Sequence, residues 1–254
     1  SCKGLFCAIS ARQFVISYGG SDFGYLWFFV RHRFVLGLWH AITVKHIALL
    51  DAKFTNSMAD KYLKRETKYY DAQLSSSDID RYVTCAAHGI DIRKVYATGL
   101  PKVDQYVRSN AKRTTKINVN GIVKILYAPT FRDYADVGNL FFRFSDFDIT
   151  QLQYFFARNQ CVQIYLRPHP GDLESNQQAQ ALASQFSENI VYYSQEICDD
   201  IDEVLYQFDT IISDYSSIYV EPLLGDTPCI FVPFDYEKYM ATRGLAYDYH
   251  MVTP

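Results

Sequence analysis

The chain of 254 residues has only two tryptophans, three methionines and no Cys-x-x-Cys pair. Without such a pair, or any His/Cys spacing of the zinc type, its six cysteines (Cys2, Cys7, Cys85, Cys161, Cys198 and Cys229) outline neither a zinc site nor a redox dithiol. Several sit in apolar contexts, so they read as reduced, buried thiols of a cytosolic protein. A Walker loop, a Gly-x-Gly-x-x-Gly run, a His-Glu-x-x-His pair and a dense acidic cluster are also missing, so the expectation is electrostatic catalysis or binding without metal or cofactor. An excess of one charge is absent too: 25 Lys and Arg face 28 Asp and Glu, a net charge of −3. Nothing therefore draws the whole surface to nucleic acid or to anionic lipid. The most apolar stretch, Phe23 to Val44, is broken by Arg31, His32 and Arg33 and falls short of the ~20 uninterrupted residues that span a bilayer. No stretch reads as a secretory signal, an internal repeat or a low-complexity tract. The chain begins in an apolar region and stops at Val252-Thr253-Pro254 with no closing helix, which reads as part of a longer protein.

What is present is an ordinary globular composition, 49% hydrophobic and 21% charged, enough for one large domain or two smaller ones. The 21 Tyr and 18 Phe make it rich in aromatics, compatible with a peripheral membrane or carbohydrate-facing surface. Strands and helices alternate throughout, the pattern of an α/β fold with parallel sheets. Strands are expected at 35–39, 70–74, 95–98, 122–128, 162–166, 190–193, 210–213 and 229–232. A helix capped by Ser77 should run through Ala87 to Gly89, with others at 151–159, 177–186 and 200–207. The basic run Lys61 to Lys68 reads as helical or irregular, and as a solvated face. Arg108 to Gly121 is polar and reads as a linker, giving domains at 1–112 and 122–254.

The segment from Ile211 to Pro233 reads as a buried strand, a polar turn, a short helix ending near Gly225 and a second buried strand. A right-handed crossover puts the Ser216-Ser217 turn at the carboxyl edge of a parallel sheet, where ligands bind. Two hydroxyls at a helix N-terminus there suit an oxyanion such as a nucleotide diphosphate, or equally a simple helix cap. His40, at a strand end, suits a general base or a packed corner. Arg167 and His169, held between prolines, suit phosphate oxygens or a surface turn. Thr130-Phe131-Arg132 leaves the first strand of the second half toward the same edge, and Glu221 suits a ribose hydroxyl or an exposed helix face. Arg243 suits a phosphate contact or a turn.

Taken together, Leu38-Trp39-His40, Gly99-Leu100-Pro101-Lys102-Val103-Asp104, Tyr127 to Arg132, Arg167 to Pro170, Ser213-Asp214-Tyr215-Ser216-Ser217, Pro233 to Glu237 and Arg243 to Asp248 resemble the CDP-glycerol glycerophosphotransferase family of teichoic acid and capsule polymerases. Each motif alone is weak; seven in order and at matching spacing are specific. The resemblance implies a GT-B-like fold, two Rossmann-like halves facing across a cleft with the second half binding nucleotide. It implies transfer of glycerol phosphate from CDP-glycerol to a hydroxyl of a polymer or lipid-linked acceptor, with release of CMP, on the inner face of the cell membrane. His40 matches the proposed base, Arg167, His169, Ser216, Ser217, Thr130, Arg132 and Arg243 the phosphate-binding set, and Glu221 the ribose contact. Three positions depart from the family pattern: Ala41 stands where Gly is usual, Lys102 where Arg is common, and Glu221 where Asp is frequent. Lys102 keeps the charge without the two-pronged geometry. CDP-ribitol or another activated polyol or sugar phosphate is the alternative donor, and a non-catalytic nucleotide- or glycan-binding module the alternative class.

Overall fold

A computed structural model describes residues 2–17, 19, 30, 32–110, 121–134 and 140–253. The chain forms two compact units, one of residues 1–103 and 240–252, the other of residues 104–239. The division at 103/104 lies earlier than the polar stretch marks it, and the segment after Tyr239 returns to the first unit. Helix Pro101–Asn110 runs into the polar stretch; residues 111–120 lie outside the described residues.

The first unit is built on four parallel strands, β1 (Gln13–Ile16), β2 (Phe34–Gly37), β3 (Ala72–Ser75) and β4 (Val95–Ala97), in that spatial order. Its helices are α1 (Cys2–Ser10), α2 (Asn56–Tyr62), α3 (Asp78–His88) and the start of α4 (Pro101–Asn110). α1 and β1 had no counterpart in the sequence reading. Phe14, Ile16, Val35, Tyr70, Ile90 and Val95 form the core. As expected, Ser77 caps α3, accepting from Asp80 N, and Gly89 ends it with φ 62°, the left-handed conformation glycine tolerates. Gly37, at the end of β2, is needed for space: a Cβ there would stand 2.9 Å from Gln73 Cδ. The basic run continues α2 as a π turn, Leu63–Thr67, with Lys61, Lys64 and Lys68 exposed.

The second unit carries five parallel strands, β5 (Val123–Tyr127), β6 (Val162–Leu166), β7 (Ile190–Tyr192), β8 (Thr210–Ser213) and β9 (Cys229–Phe231), in the order β7-β6-β5-β8-β9. The central strand β5 is covered on both faces, as a parallel sheet requires. Tyr127 packs with Phe141, Leu152, Phe156 and Leu166 on one side, Leu126 with Tyr106, Leu205, Phe208 and Ile211 on the other. Leu126, Leu166 and Ile211 are fully buried, each contributing ~1.5–3 kcal/mol. Helices α5 (Ile149–Arg158) and α6 (Leu173–Gln185) follow β5 and β6. α6 starts four residues earlier than the pattern suggests because Asp172 caps it. The helix expected at 200–207 is instead two 3-10 turns, Ile201–Glu203 and Leu205–Gln207. Asp200 tightens the first by accepting from Asp202 N, and β-branched Val204 at φ −123° breaks the run. After β8 the chain makes a 3-10 turn, Ser217–Tyr219, leading into α7 (Val220–Leu223); α8 (Tyr236–Thr242) and α9 (Tyr249–Val252) follow β9.

Five cysteine side chains are described, all free, but Cys7 and Cys161 are exposed and Cys85, Cys198 and Cys229 half-buried, so the expectation of buried thiols fails for these five. Cys161 lies just before β6, outside the cover of the core, rather than inside it. Among the described residues no helix is long and apolar enough to cross a membrane, and no group of His, Cys, Asp and Glu is arranged to hold a metal ion.

Candidate functional site

All five strands of the second sheet run the same way, so the segments after β5, β6, β8 and β9 leave from one edge. Successive connections go from β5 to β6 on one side, then to β8 on the other, making the gap between the ends of β5 and β8 a topological switch point. Thr130 and the Ser216-Ser217 turn flank that gap. Asp214 ties its two sides together: Oδ1 accepts from Thr130 N at 2.8 Å and from Tyr215 N at 2.6 Å. Ser213 Oγ donates to Ala128 O at 2.8 Å. The Thr130 hydroxyl is buried and has no hydrogen-bond partner among the described residues. A buried hydroxyl left in that state at a switch point suits an incoming acceptor.

Ser216 does what a cap does, its Oγ accepting from Ile218 N at 3.3 Å, while Ser217 opens the turn half-buried beside it. The helical run from Ser217 to Leu223 is short. Glu221 departs from the exposed helix-face reading: it is 2% exposed. After β6, Arg167 Nη1 donates to Cys198 O at 3.0 Å and to the Tyr193 and Ser194 carbonyls at 3.4 Å. Its Nε and Nη2 make no hydrogen bond to the described residues, so the guanidinium is held at one end with donors left at the other. His169 is exposed and stacks on Phe131, ring centroids 4.9 Å apart. Its Nδ1 accepts from Gly171 N at 3.1 Å, which places the proton of the neutral ring on Nε2.

Arg132 is different. Its side chain is 1% exposed and its guanidinium is already committed to the protein. Nε and Nη2 donate to the two oxygens of Asp235 at 2.8 and 2.9 Å, Nη2 also to Asp214 Oδ2 at 2.7 Å, and Nη1 to Thr130 O. The rings of Tyr215, Tyr239 and Phe234 lie 4.9, 5.0 and 5.2 Å from its Cζ. Burial works against the charge on Arg132, but its bonds to Asp235 and the charges of Asp214 and Asp235 outweigh it, and its pKa is raised. Burial likewise pushes the Asp235 carboxyl up, yet Arg132 and the hydroxyls of Tyr134 and Tyr215 hold it below the usual range. Arg132 thus pins the loops after β5, β8 and β9 to one another and is not presented to a ligand. Neither Asp214 nor Asp235 was singled out in the sequence, although both stand inside its motifs.

Arg243 belongs to the other unit, the first, where Nη1 lies 3.5 Å from Asp51 Oδ2. Next to it Gly244, φ 76°, passes so close to the His46 ring that a Cβ would overlap it.

His40 is also in the first unit, three residues past β2. Its Nδ1 faces the Ser17 carbonyl at 3.3 Å; a carbonyl can only accept, so the Nδ1 proton is fixed and Nε2 keeps the lone pair. Trp39 before it has φ 59°, a left-handed backbone costing an L-residue ~1–2 kcal/mol. Such conformations persist where the surroundings enforce them. The Trp39 ring centroid lies 4.3 Å from that of His40, tilted, and 4.4 Å from that of His88, edge-on. His88 is buried, and burial, with the nearby His40, lowers its pKa to about 4, so it is uncharged near neutral pH. Sequence reading passed over His88 because it sits at the end of an ordinary helix.

The model of the family described as CDP-Glycerol:Poly(glycerophosphate) glycerophosphotransferase matches residues 1–254. The chain belongs to this family. It is 32% identical over 234 residues to the teichoic acid glycerol-phosphate primase of Bacillus spizizenii (strain ATCC 23059 / NRRL B-14472 / W23), covering 85% of this chain and 55% of that protein. It is 26% identical over 238 residues to the teichoic acid ribitol-phosphate polymerase TarL of Staphylococcus aureus (strain NCTC 8325 / PS 47), covering 89% of this chain and 40% of the relative. The solved structure of a variant of the wall teichoic acid polymerase TagF soaked with CDPG matches with a TM-score of 0.69 and 18% identity, over all of this chain and 61% of that one. That likeness gives the fold, the GT-B-like α/β class with two parallel sheets. The chain spans about half the length of the curated relatives it matches.

Proposed function

We propose that this family member transfers glycerol phosphate from CDP-glycerol to a hydroxyl of a teichoic-acid-like polymer or lipid-linked acceptor. The observation that carries the reading is the gathering of phosphate-type donors, Arg167, His169 Nε2, Thr130, Ser216 and Ser217, at one carboxyl edge of a Rossmann-like sheet beside its switch point. Membership of the glycerophosphotransferase family supports the same chemistry.

In this reading the acceptor oxygen attacks the phosphorus that bears glycerol, the bond from that phosphorus to the bridging oxygen breaks, and CMP leaves with that oxygen. His40 Nε2 takes the acceptor proton. Charge grows on the phosphoryl oxygens, and fixed hydrogen-bond donors lower that barrier. Glu221 holds the ribose, and Arg243 is a further phosphate contact. The reaction is placed at the inner face of the cell membrane, with the protein peripheral to it.

Incubating the full-length protein with CDP-glycerol or CDP-ribitol and a lipid-linked acceptor, and measuring CMP, tests the reading. CMP from CDP-glycerol supports it. CMP only from CDP-ribitol changes the polyol, an arm worth running because one relative is a ribitol-phosphate polymerase. Tight CDP binding with no CMP from either donor leaves a binding module.

A further inference from the structure

Helix α3 turns a polar face inward. Asp80, Thr84 and His88 follow one another at four-residue spacing, and they are 1%, 0% and 3% exposed, where an amphipathic helix would normally bury apolar side chains. The two outer members grip the loop that carries His40. Asp80 Oδ1 accepts from Thr43 N at 3.4 Å, while its Oδ2 accepts from Ser76 N and Oγ at 2.9 and 3.0 Å. His88, roughly 12 Å along the helix, sets its ring edge against Trp39. Its own orientation is fixed by a 2.6 Å hydrogen bond between Nδ1 and Tyr62 Oη. His40 lies between the two anchored residues, its ring against Trp39.

Resting on the reading of His40 as the base, we propose that His88 is a positioning residue: through Trp39 it sets the place of the His40 imidazole. Three features assign this role. The left-handed backbone at Trp39 needs something to enforce it, and the His88 ring stands against its indole. His88 is tied to α2 by its hydrogen bond with Tyr62, so the ring is a wedge and not a free rotor. The titratable groups facing it are His40 and Tyr62, and an uncharged His88 does not oppose a proton arriving on His40. The buried face also holds hydroxyl and ring atoms with no partner among the described residues, Thr84 Oγ1 and His88 Nε2. Such polar burial is poor packing, and it fits a helix face kept for alignment more than for stability.

The test uses the full-length protein with every tryptophan other than Trp39 replaced by Phe, Trp27 among them, so that emission reports Trp39. In His88→Ala, kcat for CMP release should fall ~10-fold or more while donor KM stays within ~2-fold, as for misplacing a catalytic group without touching the donor site. Trp39 emission should move to the red. His88→Phe, which keeps a neutral ring against Trp39, should restore the emission and most of kcat. If His88→Ala does not fold, His88→Asn removes the same ring contact and is read the same way. Unchanged emission and kcat overturn the proposal, as does a loss that falls on kcat, donor KM and melting temperature alike and is not restored by His88→Phe. His40→Ala separates the two levels: normal turnover there overturns the base reading and the proposal with it. With His40→Ala inactive, an unaffected His88→Ala overturns the positioning role alone.

Discussion

Arg132 holds Asp235 through two nitrogens, Nε to Oδ2 at 2.8 Å and Nη2 to Oδ1 at 2.9 Å, with the guanidinium almost wholly out of solvent. A planar fork on a planar carboxylate is a geometry lysine cannot copy. The pair joins the end of β5 to the end of β9, and Asp214 adds β8.

Arg132→Ala should therefore destabilise the protein by about 3–5 kcal/mol, because it leaves Asp214 and Asp235 buried without their counter-charge. Arg132→Lys should recover only part of this, read from urea melts. Asp235 carries a lowered pKa in the fold, so its share of stability is present above the ordinary aspartate pKa of about 3.9 and is lost as pH falls below it. Asp235→Asn should flatten that acid limb. An unchanged acid limb would show the carboxyl to be uncoupled from folding.

The donor groups should separate from Arg132 in a binding assay. Arg167→Ala, His169→Ala and Ser216→Ala are expected to fold normally and to bind CDP-glycerol more weakly, each by about 1.5–3 kcal/mol for a lost hydrogen bond to a charged group. Titration calorimetry measures this. Unaltered affinity in all three would move the donor site elsewhere.

His40→Ala should lower the rate of CMP release by at least ~100-fold, as for loss of a general base, with donor affinity nearly unchanged. Single-turnover kinetics with saturating donor isolates this step. A drop in donor affinity matching the drop in rate would assign His40 to binding.

His88 predicts a second, separate pH limb. Its pKa falls from 6.5 to about 4 on folding, so the unfolded chain binds a proton that the folded chain refuses between those values. Stability contributed in this way is full above pH 6.5 and declines as pH falls toward 4, by about 3 kcal/mol in all. Melting temperature followed from pH 7.5 to 4 should show the decline, and His88→Phe should remove it.

Periodicity and strand-end chemistry made the second sheet legible. Short apolar runs such as Val162–Leu166 have few alternatives once helices separate them, and parallel pairing then forces their trailing loops to one edge. The same reasoning placed Arg167 and His169 at that edge but could not assign Arg132, because burial depends on Asp235, 103 residues away in the chain. Nor does the sequence tell that Arg243, which follows the edge motifs in the chain, belongs to the first unit. The missed 3-10 turns after Asp200 reflect a local contest, a helix-start signal against a β-branched break at Val204, that tertiary packing decided. α1 and β1 went unread because they occupy an apolar stretch without turn punctuation.

The return of residues 240–252 to the first unit sets an order of assembly. Val44 O receives Ala246 N at 2.9 Å, Gly244 O receives His46 N at 3.1 Å, and Tyr247 Oη meets Asp80 Oδ1 at 3.3 Å. A chain emerging from the ribosome makes β1 to β4 early, yet these partners arrive only after the whole second sheet has been synthesised. The unit that begins first is completed last, and a nascent chain halted after Tyr239 would expose the unfilled places beside Val44, His46 and Asp80 to chaperones and proteases.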